Sequence, residues 1–165
     1  MPVTTDLGTR PPRLGGVQPL TDPDEIARRS ADTMLAGDRA SAGAGVELAE
    51  VGPGRATMTM AIRPDMVNGH DIAHGGYVFL LADTAFAVAC NSYGRSTVAA
   101  GCDIAFVAAT KAGDELTAVA EERHRAGRSG LYDVSVRRAD GTVVAELRGR
   151  SRTIAGTLVP LEEQS

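Results

Sequence analysis

The sequence predicts an α+β domain in which an antiparallel sheet of about six strands wraps one long central helix, with an extra helix at the N-terminal side. Three observations carry this. The segment from Gly75 to about Tyr93 is apolar nearly all round, which requires a helix enclosed on most sides. From Arg55 to Ile62 the pattern alternates, with Ala56, Met58, Met60 and Ile62 on one side and Arg55, Thr57, Thr59 and Ala61 on the other, as in a strand with one buried face. Turn signals such as Ala126-Gly127-Arg128 and Asp140-Gly141 divide the C-terminal half into strand-length pieces.

The elements follow in order. Residues 1–20 hold Pro2, Pro11, Pro12, Pro19, Gly15 and Gly16 without an apolar run of signal-peptide length, and read as a disordered leader. Thr21 or Asp22 caps a helix with Pro23 at its first position and Glu25 three residues after Asp22. The helix runs to about Ala36, where Gly37 ends it, and the Gly-, Ala- and Ser-rich stretch 38–45 reads as a linker. Strands are expected at Val46–Val51 and Arg55–Ile62 around the turn Gly52-Pro53-Gly54, followed by a polar loop over 63–74 and the apolar helix, which Gly94 stops. Four further strands, near 97–108, 114–124, 130–138 and 142–153, read as a meander; in the last, Ala145, Leu147 and Gly149 alternate with Glu146, Arg148 and Arg150. One domain over 21–157 and a tail over 158–165 complete the chain.

Composition narrows the function. The 165 residues carry a net charge of -4, which argues against a nucleic-acid partner. The longest apolar stretch, Tyr77 to Cys90, is shorter than the roughly 20 residues of a membrane span and is interrupted by Asp83, so no membrane partner is expected. Cys90 and Cys102 form no CxxC pair; they read as small buried apolar residues of a cytoplasmic protein. His70 and His74 have the four-residue spacing of a zinc helix but lack the glutamate such a motif needs and lie in a loop, so no metal is expected. No Gly-x-Ser-x-Gly elbow or Walker loop is present, and Gly43-Ala44-Gly45 lacks the third glycine of a dinucleotide loop.

Asp83 is the residue that composition and pattern do not account for. It sits among Val78, Phe79, Leu80, Leu81, Ala82, Ala85, Phe86, Ala87 and Val88, too far inside the helix to cap it. A carboxylate there is costly unless it is paired, solvated at a cleft or functional. A hydrogen bond to Thr84 or to a neighbouring chain is one reading; a catalytic carboxylate at a partly dry site is the other. His74-Gly75-Gly76 opens the same helix, where unpartnered backbone N–H groups and the helix dipole together can polarise a carbonyl. Asp83 lies eight residues beyond Gly75, about 12 Å along the axis. Reacting groups must approach to roughly 3–3.5 Å, so two copies of the chain in a two-fold dimer with shared sites would bring these groups together more readily than one.

The segments Asn68-Gly69-His70, His74-Gly75-Gly76, Leu81-Ala82-Asp83-Thr84-Ala85-Phe86-Ala87 and Ala89-Cys90-Asn91-Ser92, with Arg123-His124, Gly130-Leu131-Tyr132-Asp133-Val134 and Arg148-Gly149, together resemble the PaaI-type hot-dog thioesterases of phenylacetate degradation. The likeness spans roughly residues 24–157. It implies a hot-dog fold and hydrolysis of an acyl-CoA thioester, with hydroxylated phenylacetyl-CoA or a related aryl-CoA or acyl-CoA as substrate. By position it implies that Asp83 is the nucleophile or general base and that Gly75 donates its N–H to the thioester oxygen. It implies that Asn68 and His74 position substrate or water, and that Thr84 supports Asp83. No cofactor is implied, because CoA belongs to the substrate, and the assembly implied is a homotetramer built from two dimers. Gly76, Arg123, His124, Arg125, Arg128, Ser129 and Gly130 are the candidate CoA contacts, the arginines for its phosphates. Arg148, Arg150 and Arg152 form a second basic stripe, and Phe79, Phe86, Met66 and Tyr77 are candidates for an apolar pocket or for plain core. Phe106-Val107-Ala108-Ala109 departs from the Phe-Leu-Arg-Pro-like strand end of many relatives. Two alternatives stay open: an enoyl-CoA hydratase on the same fold, and a non-catalytic acyl-CoA-binding protein.

Overall fold

A computed structural model of the chain describes residues 18–162. Helix α1 spans Pro23–Ala36, and the Asp22 carboxylate caps it by accepting from the N–H groups of Asp24 and Glu25. The expected linker is instead a short helix, α2 (Arg39–Ala44), capped by Asp38 and closed by Gly45 in the left-handed region. Alanine is the strongest helix former, and a cap at each end is enough to fold this small-residue stretch into a helical turn. Strands β1 (Glu47–Gly52) and β2 (Arg55–Ala61) form a hairpin, and a 3₁₀ turn at Pro64–Met66 leads through the polar loop into α3 (Gly75–Asn91). Strands β3 (Arg95–Phe106), β4 (Glu115–Ala126), β5 (Ser129–Arg138) and β6 (Val143–Thr157) complete the sheet.

The sheet is antiparallel throughout, in the order β1-β2-β4-β5-β6-β3. This corrects the four-strand meander. The hairpin-linked strands β4, β5 and β6 do pair in sequence, but β3 lies at the far edge against β6, and β4 pairs with β2. The connections explain the difference. Two residues, Gly127 and Arg128, join β4 to β5, with Gly127 at φ 56°, whereas 107–114 join β3 to β4, long enough to cross from one side of the sheet to the other.

Every strand of the sheet's centre sends alternate residues to α3. Met58 and Met60, Leu116 and Ala118, Val134 and Val136, and Ala145 and Leu147 are all buried. On the helix, Val78, Leu81, Ala82, Ala85, Phe86, Val88 and Ala89 are buried as well. The all-round apolar helix is therefore enclosed, as its sequence requires. Small residues set how closely it approaches. A Cβ on Gly149 would lie 2.8 Å from the Phe86 ring, which in turn packs on Tyr132 with centroids 5.5 Å apart. Met66 and Phe86, read as candidate pocket residues, are fully buried core.

The chain ends belong partly to the domain. The expected leader lies outside the described residues except for 18–20, and Leu20 forms a parallel bridge to Leu161. Beyond residue 157, the Leu158 N–H bonds the Gly94 carbonyl and Val159 is buried. Among the described residues no helix is long and apolar enough to cross a membrane.

Gly149→Ala is expected to lower stability by about 1–3 kcal/mol, because the ring it meets has no room to move. The midpoint of urea unfolding measures this, and Phe86→Leu in the double variant should recover part of the loss.

Candidate active site

The start of α3 is built by a tight loop. The Asn68 N–H bonds the Ile72 carbonyl, the Asp71 N–H bonds the Asn68 carbonyl, and Asp71 takes φ 57° to close the turn. An isolated bridge between Val67 and Ala73 clamps its base. This brings Asn68 to the wall of a cavity of about 310 Å³ that Gly75 also lines. The Asn68 side-chain oxygen accepts from the His70 N–H, which leaves its amide N–H₂ for a ligand.

His74 is the N-cap of α3. Its Nδ1 accepts the Gly76 N–H at 3.0 Å, and its carbonyl accepts the Tyr77 N–H. An accepting Nδ1 places the neutral ring's proton on Nε2. Two first-turn donors are thus used, and the Gly75 N–H has no acceptor among the described residues. Gly75 lines the cavity together with Ile72, Val78, Phe106, Val107 and Val144. The departing run Phe106-Val107-Ala108-Ala109 makes one side of that wall, with Phe106 and Val107 more than half exposed. A Cβ on Gly75 would lie 3.0 Å from the Phe106 ring. Phe106, outside the candidate site residues named from sequence, lines the same cavity as Asn68 and Gly75; its place at the end of an edge strand was the available signal.

Asp83 sits midway along the helix and is half-buried. Its one hydrogen-bond partner among the described residues is the Cys102 thiol, with Sγ 3.8 Å from Oδ1. Burial pushes its pKa up from the ordinary carboxylate range, and the Cys102 contact opposes that only in part. Thr84, expected to support Asp83, turns the other way. Its hydroxyl donates to the Leu80 carbonyl and meets Ser41 Oγ at 2.9 Å, tying α3 to α2. Cys102 is half-buried rather than fully buried as the sequence suggested, while Cys90 is buried. Alternation on β3, with Cys102 and Ile104 inward and Asp103 outward, was the signal that set Cys102 against the helix.

The candidate CoA contacts cluster at the β4–β5 hairpin, at the opposite end of α3 from Gly75. Ser129, Gly130 and Arg125 share a small recess with Cys90 and Tyr93, beyond the last turn of the helix. Arg125 stacks on Tyr93, its guanidinium carbon 3.8 Å from the ring centroid, and lies 3.6 Å from Glu122. The Arg128 Nε donates to the Thr153 carbonyl, and His124 is exposed. Arg123 is already engaged by Asp133 at 2.9 Å and Glu121 at 3.4 Å, on the outer face of the sheet. Arg148 shares Asp133 with it, and Arg150 pairs with Asp103 at 2.6 Å. One chain therefore gathers Asn68, His74, Gly75 and Gly76 at one end of α3, Asp83 at its middle and the basic hairpin at its far end.

The raised pKa makes a stability prediction. The folded state holds the Asp83 proton more tightly than the unfolded chain does. The stability linked to that proton is complete below the unfolded carboxylate pKa and is lost as pH rises through the folded one. At pH 7 the charged Asp83 is a burden on the fold, so Asp83→Asn should melt at or above the wild-type temperature there. That advantage should shrink as pH falls to about 4. Thermal melts of both proteins across pH 4–8 measure it, and a variant that melts well below wild type at pH 7 would contradict the reading.

Comparison with known proteins agrees with this architecture. The thioesterase superfamily model matches residues 70–145. The acyl-coenzyme A thioesterase PaaI of Escherichia coli (strain K12) is 41% identical over 132 residues, which cover 80% of this chain and 94% of that protein. The solved structure of the E. coli PaaI protein from the phenylacetic acid degradation operon has a TM-score of 0.81 and 40% identity, covering 82% of this chain and 99% of that one. A mutant of the phenylacetic acid degradation protein PaaI from Thermus thermophilus has a TM-score of 0.68 and 32% identity, covering 71% of this chain and all of that one. With its six-stranded antiparallel sheet around one helix, the chain belongs to the thioesterase superfamily, as a PaaI-type thioester hydrolase of the hot-dog fold.

Proposed function

We propose that this protein hydrolyses acyl-CoA thioesters to free acid and CoA, with arylacetyl-CoA esters such as hydroxylated phenylacetyl-CoA as the preferred class. The observation that carries the reading is one helix with an unclaimed N–H at its start and, at its middle, a half-buried carboxylate that pairs with no cation among the described residues. The 41% identity to a protein named acyl-coenzyme A thioesterase supports the substrate class, and its place in a phenylacetic acid operon supports the aryl group.

In this mechanism the thioester oxygen accepts from the Gly75 N–H, where the α3 dipole adds positive potential. The amide of Asn68 lies at the same cavity and holds the carbonyl or the attacking water, and the Nε2 side of His74 remains open to substrate. Asp83 takes the proton of a water that attacks the thioester carbon. The tetrahedral oxyanion collapses, the C–S bond breaks, and CoA leaves as a thiolate that its ordinary thiol pKa makes a good leaving group. Direct attack by Asp83 gives the same products through an anhydride. Neither route calls on a metal or a prosthetic group.

Eight residues of helix separate Asp83 from Gly75, so the working unit is a two-fold dimer in which Gly75 and Asn68 of one protomer face Asp83 of the other. Strand β3 supports this: it is an edge strand, and Val98 on it is 46% exposed. Two such dimers would make the tetramer.

Thiol release from a panel of aryl- and alkyl-CoA esters tests the activity. Wild type should turn over arylacetyl-CoA best, and Asp83→Asn should lose about 10²–10⁴-fold in kcat. No thiol from any ester would favour a binding protein, and a fully active Asp83→Asn would remove the assigned base.

Gly75 allows a clean deletion of the N–H. His74 takes φ -62° and ψ 129°, which suits a residue before proline, and proline is tolerated at the first helical position. Gly75→Pro should lose about 10²–10³-fold in kcat, while Gly75→Ala, which keeps the N–H and only displaces Phe106, should lose far less. Hybrids formed from Asp83→Asn and Gly75→Pro protomers should recover about a quarter of wild-type activity, since half of the dimers then carry one intact site. No recovery on mixing would place both groups in one chain's site.

A further inference from the structure

The contact between α3 and the edge strand β3 beneath it has no part in the chemistry described above. Cys102 is the only hydrogen-bond partner of Asp83 among the described residues, with Sγ 3.8 Å from Oδ1. The position of the thiol is not accidental packing at a loose edge. Cys102 pairs in register with Gly149 of β6, and Gly149 is held against the Phe86 ring of α3, three residues from Asp83. The same packing that seats the helix therefore sets the thiol beside the carboxylate.

We propose that Cys102 is a positioning residue for Asp83, donating its S–H to Oδ1 so that Oδ2 is left for the proton of the attacking water. This rests on Asp83 being the catalytic carboxylate. The chemistry of the thiol favours donation over attack. Burial, together with the Asp83 charge beside it, pushes the Cys102 thiol up to about 11, so it stays protonated at neutral pH and is a poor nucleophile. A protonated thiol beside a carboxylate can only donate to it. The ionisation of Asp83 itself feels burial first and this contact second. Cys90 on the same helix is the other titratable group that Asp83 influences, and it too is held protonated, pushed up to about 12. On the sheet side, Arg150 lowers the Cys102 pKa and Asp103 raises it, and these two are paired with each other.

The test compares wild type, Cys102→Ala and Cys102→Ser in the full chain, with kcat, KM and the pH profile of kcat/KM on the best ester of the panel. A donated hydrogen bond stabilises the charged carboxylate and lowers its pKa. Cys102→Ala should therefore move the acid limb to higher pH and cut kcat about tenfold while KM stays within about twofold. Cys102→Ser, whose hydroxyl is a stronger donor, should restore kcat and return the acid limb to the wild-type position or below it. Wild-type kcat with an unmoved acid limb in Cys102→Ala overturns the proposal, and Asp83→Asn, still inactive, would show that the assignment of Asp83 survives. Should Cys102→Ala melt far below wild type, Cys102→Ser decides alone: an acid limb at or below that of wild type with retained kcat supports donation, and a limb shifted upward overturns it.

Discussion

The enclosure of α3 is the constraint from which the rest follows. A helix apolar on nearly every side cannot lie on a surface, so the sheet must curve around it. That curvature needs small residues where helix and sheet come closest, and Gly149 against Phe86 is the tightest such point. It also needs a strand on each flank. The connection of 107–114 delivers β4 next to β2 and leaves β3 beyond β6, so that the sheet covers both sides of the helix.

A carboxylate on that helix puts a charge at the edge of the core. Asp83 is half in the core, and its charge is opposed by burial and, among the described residues, met only by a thiol. The fold tolerates this because the neighbouring inward positions, Leu81, Ala82, Ala85 and Phe86, are fully buried and hold the helix in place. A carboxylate with few donors is a better base than one capped by arginine, since little stabilises its charged form. The arginines of the sheet follow the opposite rule. Arg123 and Arg148 share Asp133, whose carboxyl they hold below the usual carboxylate range, and Arg150 is taken by Asp103. Asp133 and Asp103 thus take up these arginines within the sheet, and at the far end of the helix Arg95 and Arg125 line the small recess, with Arg125 stacked on Tyr93.

The helix start shows how a short loop can prepare a donor. His74 spends its Nδ1 on Gly76 and its carbonyl on Tyr77, so among the described residues the Gly75 N–H keeps no acceptor, and Gly75 lines the cavity beside Asn68 and Phe106. Glycine matters there for space, because the Phe106 ring occupies the place a side chain would take.

Local pattern alone carries the six strands, the two long helices, the inward faces of β2 and β6, and the oddity of Asp83 on an apolar helix that His74-Gly75-Gly76 opens. Each of these is written in local periodicity, in capping chemistry or in a residue at odds with its neighbours. It mistook α2 for a linker, since Gly, Ala and Ser serve both, and only the Asp38 cap and the fit of Ser41 against Thr84 decide between them. Strand order, the turning of Thr84 away from Asp83, the engagement of Arg123 by Asp133 and the approach of Cys102 to Oδ1 were left to the tertiary structure. The physical reason is common to all four: each depends on a partner distant in the chain, and a periodic pattern tells which way a side chain faces but not what it meets.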